Sequence, residues 1–136
     1  MRMAVNLFSF QAEQFVNGDS PMPILLPNAA LVDQLVYANR ILYDQGIVDG
    51  LGHVSVRHPT EPGAYLLSCN RAPAMVRRQD ITVYDYDGNT LSDQQERPYL
   101  ERFIHGEIYR ARPDVVAVVH SHSQSVIPFA VTKSAL

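Results

Sequence analysis

The chain contains a single cysteine, Cys69, among its 136 residues. One cysteine can form neither an internal disulfide nor a cysteine-based zinc site, and this usage is typical of a reducing cytoplasm. Basic residues are also scarce, because 11 Lys and Arg stand against 14 Asp and Glu. Without a basic stripe for phosphate backbones, the sequence argues against nucleic acid as a partner. We therefore expect a small-molecule ligand.

Long apolar runs are missing as well. No stretch approaches the roughly 18 residues that cross a bilayer, so we expect no membrane partner. The first eight residues begin like a signal peptide, but Gln11 and Glu13 interrupt the pattern before an apolar segment of useful length develops. With 46% apolar and 18% charged residues, the composition is that of one globular domain.

The chain divides into an irregular N-terminal arm, residues 1–28, and a domain over residues 29–136. The arm is predicted from its glycine and three prolines among mixed residues. From Ala29 to Gln45 apolar residues recur at helical spacing, which predicts a helix. Asn28 is its expected N-cap, and Gly46 its expected C-terminal stop.

After this helix the hydrophobic pattern changes to a period of two. Residues 52–57 and 65–68 predict a hairpin around a turn rich in proline and glycine. Residues 81–84 predict a third strand, and the turn signal at 87–89 favours another hairpin toward Leu91. Residues 72–79, between these strands, predict a short helical turn.

A second helix is predicted from Tyr99 to Ala111, because Pro98 is favoured in a first turn. Its expected buried face consists of Leu100, Phe103, Ile104, Ile108 and Tyr109. The run 115–119 is apolar on both faces, as in a strand in the middle of a covered sheet. The order of helix, strands, helix and strand predicts an α/β layered sheet.

The pair His120 and His122 ends this last strand. Residues i and i+2 of a strand point to the same face, so two imidazoles can approach one metal ion. A catalytic zinc site usually has three protein ligands and one open position. The alternative is that these histidines are simply polar residues at the end of a buried strand.

Glu101 lies early in the helix before this strand. Near a metal, a carboxylate can act as a ligand or as a general acid or base. The alternative is a carboxylate that only stabilises the helix N-terminus. His105 lies one turn further along, where it either forms a ligand pair with Glu101 or hydrogen-bonds beneath the site.

Two sequence blocks together resemble the class II aldolase/adducin family. Residues 52–57 read G-H-V-S-V-R, and residues 101–122 read E-R-F-I-H-G-E-I-Y-R-A-R-P-D-V-V-A-V-V-H-S-H. The resemblance extends from about Leu31 to the C-terminus. It implies a three-layer α/β/α fold with a central, mostly antiparallel sheet, which would be C-terminally incomplete here, and a homotetramer.

The resemblance also assigns roles to the site residues. His120 and His122 would bind a divalent metal, zinc first, with manganese or iron as alternatives, and Glu101 would be the acid/base residue. Family members supply a third metal histidine after this pair. No histidine follows His122 in the chain, and His53 is the alternative third ligand.

The chain departs from the family's sugar-phosphate aldolases where those enzymes hold phosphate. His53 replaces an asparagine, residues 68–71 replace a T-P-T-G-like loop, and residues 99–100 replace two serines. A substrate with a carboxylate or an aromatic ring is therefore favoured over a sugar phosphate. The expected substrate contacts are His53, Ser68, Asn70, Arg71 and Tyr99.

These features predict a divalent-metal-dependent carbon–carbon lyase, either an aldolase or a decarboxylase. Its substrate would be a small hydroxylated carbonyl or carboxylate compound. The alternative is an adducin-like module for interaction or oligomerisation without catalysis.

Overall fold

The computed structural model describes residues 26–93 and 96–133, so the predicted N-terminal arm lies outside the described residues except for its last three. Its helices and strands are α1 (Ala29–Asp44), β1 (His53–Arg57), β2 (Ala64–Ser68), β3 (Ile81–Asp85), α2 (Arg102–Ala111), β4 (Ala117–His120) and α3 (Ile127–Ala130). The strands form one antiparallel sheet in the order β3-β2-β1-β4. With α1 and α2 on opposite faces, this confirms the predicted layered α/β fold.

The first predicted helix is confirmed as α1. The Asn28 side chain accepts a hydrogen bond from the Leu31 amide at 3.0 Å, which satisfies one free amide of the first turn. The helix ends before Gly46, whose φ of +66° is the left-handed conformation that glycine adopts without strain. In the described part of the chain, no helix has the length and apolar character needed to cross a membrane.

The predicted hairpin of residues 52–68 is confirmed, since β1 and β2 pair antiparallel. The third strand, β3, pairs with β2 along its whole length. The hairpin expected after it shortens to a single bridge between Tyr84 and Thr90. The helical turn expected at 72–79 consists of two 3-10 turns, Pro73–Met75 and Arg78–Asp80.

The prediction for α2 was wrong in its start and in most of its buried face. The helix begins at Arg102, and three of the expected core residues are exposed: Leu100 by 74%, Phe103 by 47% and Ile104 by 41%. The residues that α2 does bury are His105, Gly106 and Tyr109. His105 and Tyr109 are buried because both bond to Ser55 of β1.

Gly106 explains how α2 comes so close to the sheet layer. A β-carbon at this position would overlap the backbone carbonyl of Tyr86. The absence of a side chain therefore lets α2 pack directly against the backbone that follows β3.

The last strand was also placed wrongly, because β4 lies at the edge of the described sheet. It pairs with β1 only, and Val116 and Val119 are 64% and 46% exposed. An apolar run does not distinguish a covered strand from an edge strand whose outer face is open. The register nevertheless sets His120 directly opposite His53, which brings two distant histidines together.

Candidate metal centre and active site

His120 and His122 converge at the end of β4. Their Nε2 atoms are 3.1 Å apart, and the two rings stand nearly perpendicular, at 83°. Ligand nitrogens around a tetrahedral zinc ion are separated by about 3.3 Å, as follows from Zn–N bonds of about 2.0–2.1 Å. The spacing is therefore that of two imidazoles that can bind one ion.

Asp49, in the loop before β1, fixes the orientation of His122. Both of its carboxylate oxygens lie 3.2 Å from Nδ1 of His122, on the side of the ring away from His120. Asp49 also accepts hydrogen bonds from the amides of Leu51 and Gly52, at 2.9 Å each. The hydrogen bond from the Leu51 amide, then that from His122 and then that from the Gly52 amide lower the pKa of Asp49. A carboxylate behind a ligating histidine selects the tautomer with a free Nε2.

Gly52 allows the Asp49 loop to pass under the end of β4. A β-carbon at Gly52 would lie 2.6 Å from the Val48 side chain and 3.0 Å from the His120 carbonyl. A larger residue would therefore displace the strand end that carries the two histidines.

Glu101 occupies the N-cap position of α2, yet its side chain makes no capping hydrogen bond. Its Oε2 lies 3.4 Å from Nε2 of His120 and 3.8 Å from Nε2 of His53. The carboxylate therefore faces the histidines instead of the helix amides. This placement favours the functional interpretation of Glu101 over that of a plain helix-end charge.

His53 is fully buried at the start of β1 and faces the same space. Together with Glu101 and His120 it forms a possible metal-binding triad, whose ligand atoms lie within 4.8 Å of one another. Its Nε2 is buried without a hydrogen-bond partner among the described residues. Burial lowers the pKa of His53 to about 3 and that of His105 to about 4, so both rings are neutral at pH 7.

Behind His53 lies a buried chain of hydrogen bonds. Nδ1 of His53 is 2.7 Å from Nε2 of His105, whose Nδ1 is 2.6 Å from Oγ of Ser55. Ser55 in turn lies 2.7 Å from the hydroxyl of Tyr109. Both ring nitrogens of His105 are thus occupied, which leaves neither free to form a metal-ligand pair with Glu101 and supports the prediction that it bonds beneath the site.

The predicted substrate loop, residues 68–71, is connected to the site through Tyr99. The Tyr99 ring lies 4.3 Å from that of His53, and its hydroxyl donates to the Arg71 carbonyl. Ser68 and Tyr99 are buried, whereas Asn70 is exposed and Arg71 is partly exposed and pairs with Asp80 at 3.0 Å. The loop is therefore next to the site, and its contacts with substrate stay a prediction.

Sequence reasoning missed three groups that organise the site: Asp49, Ser55 and Tyr109. Tyr109 was assigned to the apolar core, and Ser55 was only one of the polar residues on β1. The available signal at Asp49 was an aspartate three residues before a glycine, which is typical of a turn in which the side chain bonds the backbone. Their partners lie up to 73 residues away in sequence, so only the fold brings them together.

Residues 33–136 match the model of the class II aldolase and adducin N-terminal domain. The chain belongs to this family. It is 34% identical over 109 residues to the decarboxylase tropJ of Talaromyces stipitatus, covering 79% of this chain and 41% of the relative. It is 34% identical over 111 residues to a 3,4-dihydroxyphthalate decarboxylase of Arthrobacter keyseri, covering 75% and 44%.

A third relative is an aldolase. The L-fuculose phosphate aldolase of Methanocaldococcus jannaschii is 34% identical over 91 residues, covering 66% of this chain and 48% of the relative. An L-fuculose 1-phosphate aldolase from Glaciozyma antarctica has the same fold, with a TM-score of 0.68 at 24% identity, over 85% of this chain and 51% of the other. The chain thus spans about half the length of the relatives that it matches.

Class II aldolases typically use a divalent metal, and the donor set of this chain is suited to one. Two imidazole nitrogens converge, a carboxylate lies beside them, and a second carboxylate holds His122 from behind. Imidazole and carboxylate are common ligands of zinc, manganese and iron. The described residues therefore fit a divalent cation.

Proposed function

We propose that this chain carries the metal-binding and proton-transfer groups of a divalent-metal-dependent carbon–carbon lyase. His120 and His122 would hold the ion, zinc first, with manganese or iron as alternatives. The observation that carries the proposal is the convergence of these two imidazoles beside Glu101, whose carboxylate is not used to cap its helix.

A divalent cation at this position supplies Lewis acidity, which stabilises negative charge next to a breaking carbon–carbon bond. Glu101 is the group that can take or give a proton, through Oε2, on the side where His53 and His120 meet. His53 and the residues predicted around it, Ser68, Asn70, Arg71 and Tyr99, would contact the substrate.

Decarboxylation is favoured over aldol cleavage. Two relatives at 34% identity are decarboxylases, one of them of 3,4-dihydroxyphthalate. A histidine at position 53 and an arginine at position 71 suit a carboxylate better than the phosphate cradle of the sugar-phosphate aldolases. We propose a small hydroxylated aromatic carboxylate as the substrate class, with aldol cleavage as the alternative that the fuculose phosphate aldolase supports.

The test combines metal analysis with product detection. Purified chain is loaded with Zn²⁺, Mn²⁺ or Fe²⁺, its metal content is measured after dialysis, and CO2 release from 3,4-dihydroxyphthalate is followed. L-fuculose 1-phosphate cleavage serves as the aldolase arm. His122→Ala should abolish metal retention, whereas His58→Asn should not, because His58 only accepts backbone hydrogen bonds in a distant turn. Normal metal content in His122→Ala would contradict the assignment.

The alternative is an adducin-like module that interacts or oligomerises without catalysis. It is favoured by exposed apolar side chains in α2 and in the segment just before it, namely Leu100, Phe103 and Ile104. We propose that residues 29–136 act as one domain, in the cytoplasm, in a homo-oligomer that the family resemblance suggests is a tetramer. Light scattering measures the oligomer, and a chain that binds no metal in any of the three loadings would favour the module.

A further inference from the structure

The buried chain behind His53 has a defined direction, which begins at Tyr109. Among the described residues, Oγ of Ser55, 2.7 Å away, is the side-chain hydrogen-bond partner of the Tyr109 hydroxyl. The Tyr109 proton can therefore be donated to Ser55. The opposite arrangement, with Ser55 donating to Tyr109, would leave the buried phenolic proton without an acceptor among these side chains, which is costly.

The direction of the first hydrogen bond fixes the direction of those that follow, because each of these side chains has one proton to donate. Ser55 accepts from Tyr109 and donates to Nδ1 of His105. A neutral imidazole has one donor and one acceptor nitrogen, so the proton of His105 must be on Nε2. It is donated to Nδ1 of His53, which places the proton of His53 on Nε2, the atom that faces Glu101 and His120.

The orientation of the rings agrees with a donor role for His53 rather than a ligand role. A histidine binds an ion in the plane of its ring. The rings of His53 and His120 are stacked at 14° with centroids 4.8 Å apart, so their planes run side by side and do not meet at one ion. The ring of His122 crosses that of His120 at 83°, so the two planes intersect, and their Nε2 atoms are 3.1 Å apart.

Tyr109 is held in place by Arg57, which fixes the far end of the row of hydrogen bonds behind His53. The Arg57 guanidinium lies 4.7 Å from the centre of the Tyr109 ring and donates to the Tyr109 carbonyl at 3.0 Å. Arg57 also donates to the Val115 and Arg112 carbonyls, at 2.9 and 2.8 Å. Arg57 is thus engaged by the fold rather than open to a substrate.

We propose that His105, fixed by Ser55 and Tyr109, is a positioning residue that holds His53 as the Nε2–H tautomer, a neutral donor aimed at the space between Glu101 and His120. The tautomer follows from the hydrogen bonds alone, and only its role toward a substrate rests on the proposed function. A substrate there would present an oxygen acceptor, such as a carboxylate, to His53. The His105 side chain touches no substrate and acts through His53 alone.

Long-range proton–nitrogen NMR of the chain with ¹⁵N-labelled histidine tests the assignment without turnover. In metal-free protein we expect His53 to show a protonated Nε2 and an unprotonated Nδ1. Added Zn²⁺ should shift the Nε2 signals of His120 and His122 while His53 keeps its Nε2 proton. A protonated Nδ1 in the metal-free chain, or loss of the Nε2 proton of His53 on zinc addition, would overturn the proposal.

The same measurement separates this inference from the proposed function. If zinc shifts no histidine signal and neither Mn²⁺ nor Fe²⁺ is retained after dialysis, the metal-dependent lyase is contradicted, whereas the metal-free spectrum still decides the tautomer. Zinc binding with His53 deprotonated at Nε2 would retain the lyase and make His53 the third ligand instead.

Ser55→Ala tests whether the buried hydrogen bonds behind His53 set its tautomer. It removes the donor to Nδ1 of His105, and we expect the tautomer ratio of His53 to shift about two- to tenfold, the effect of one neutral hydrogen bond. Tyr65→Phe is the matched control, because it deletes a hydroxyl in the same layer that donates to the Arg102 carbonyl instead. An unchanged His53 tautomer in folded Ser55→Ala, or an equal shift in Tyr65→Phe, would contradict the positioning role.

Discussion

The two faces of the sheet are packed in different ways. The hydrophobic cluster on the α1 face is aliphatic, and Asn39 is a buried polar residue of the same helix. The cluster consists of Val32, Leu35, Val36, Val54, Ala64, Leu66, Val76, Ile81 and Val83. The buried cluster on the α2 face is largely aromatic: Tyr65, Leu67, Tyr84, Tyr99, Tyr109 and Val118. Buried histidines join it, since His53 and His105 are fully inaccessible.

The two faces therefore differ in what they contribute to the protein: one mainly stabilises the fold, and the other mainly orients side chains. Aliphatic burial lowers the free energy of the fold but favours no particular side-chain direction. Buried polar groups must be paired, and each hydrogen bond fixes the direction of its partners. The α1 face therefore supports the sheet, while the α2 face orients the groups of the candidate site.

The largest effect on stability is expected from Leu66→Ala, at the centre of the α1 face. Leu66 is fully buried, so its truncation should lower the free energy of unfolding by about 2–5 kcal/mol. Urea unfolding followed by circular dichroism measures the loss, with Leu100→Ala, at a 74% exposed position, as the control. A loss in Leu66→Ala no larger than in the control would show that the aliphatic face does not carry the stability.

Lowering the pH should reduce the free energy of unfolding through the two buried histidines of the α2 face. The pKa values of His53 and His105, about 3 and about 4, lie below the ordinary 6.5, because burial disfavours the charged ring. Between pH 6.5 and about 4 the unfolded chain therefore binds protons that the folded chain does not, and the free energy of unfolding falls as the pH falls. Each histidine contributes up to about 1.4 kcal/mol per pH unit in this window.

Unfolding in urea at a series of pH values, with EDTA present, measures this slope. The carboxyl groups whose pKa is lowered, such as those of Asp33 and Asp114, change the free energy of unfolding only below about pH 4. They therefore do not contribute to the slope between pH 6.5 and 4. Leu66→Ala should shift the whole curve without changing its slope, and His105→Gln should flatten it. A free energy of unfolding that does not vary between pH 6.5 and 4.5 would contradict the burial of two neutral imidazoles.

The α1 face was far easier to predict from sequence than the α2 face. Helix α1 and strands β1 to β3 follow from local periodicity and turn residues, which need no knowledge of distant partners. Strand geometry predicted the pairing of His120 with His122, although β4 ends at His120. The family resemblance gave Glu101, already a candidate, its predicted role. The fold and the main elements of the candidate site were therefore accessible to sequence reasoning.

The buried face of α2 was not, because hydrophobicity pointed to the wrong side of the helix. His105 and Tyr109 are buried through bonds to Ser55, 50 and 54 residues away, and Gly106 through close backbone approach. Such long-range polar pairing leaves no local pattern. The edge position of β4 was missed for a related reason, since an apolar strand does not reveal whether it has a neighbouring strand on both sides.

Asp49→Asn should affect the metal site without weakening either face. The amide keeps an oxygen for the Leu51 and Gly52 amides but loses the charge that faces Nδ1 of His122. We expect a 10- to 100-fold weaker affinity for Zn²⁺, the usual consequence of removing such a supporting carboxylate. Competition with a chromophoric chelator measures the affinity.

Asp44→Asn is the control for this change, because Asp44 is exposed at the end of α1 and contacts only the neighbouring Gln45 side chain. Unfolding in urea with EDTA should give the same free energy for both variants as for the original chain. Equal zinc affinities in the two variants would show that Asp49 serves the loop and not the metal centre.

A smaller loss of stability than in Leu66→Ala is expected from Tyr109→Phe, which removes one hydroxyl from the α2 face and leaves the ring. The Ser55 hydroxyl loses its Tyr109 partner, and we expect the free energy of unfolding to fall by about 1 kcal/mol. Tyr37→Phe, at an exposed position of α1, is the control in urea unfolding. A fall as large as that of Leu66→Ala would mean that the hydrogen bonds of this face, like the aliphatic packing of the other, are a main source of stability. A small fall accompanied by a changed His53 tautomer would instead show that the α2 face uses its buried hydroxyls chiefly to orient the histidines.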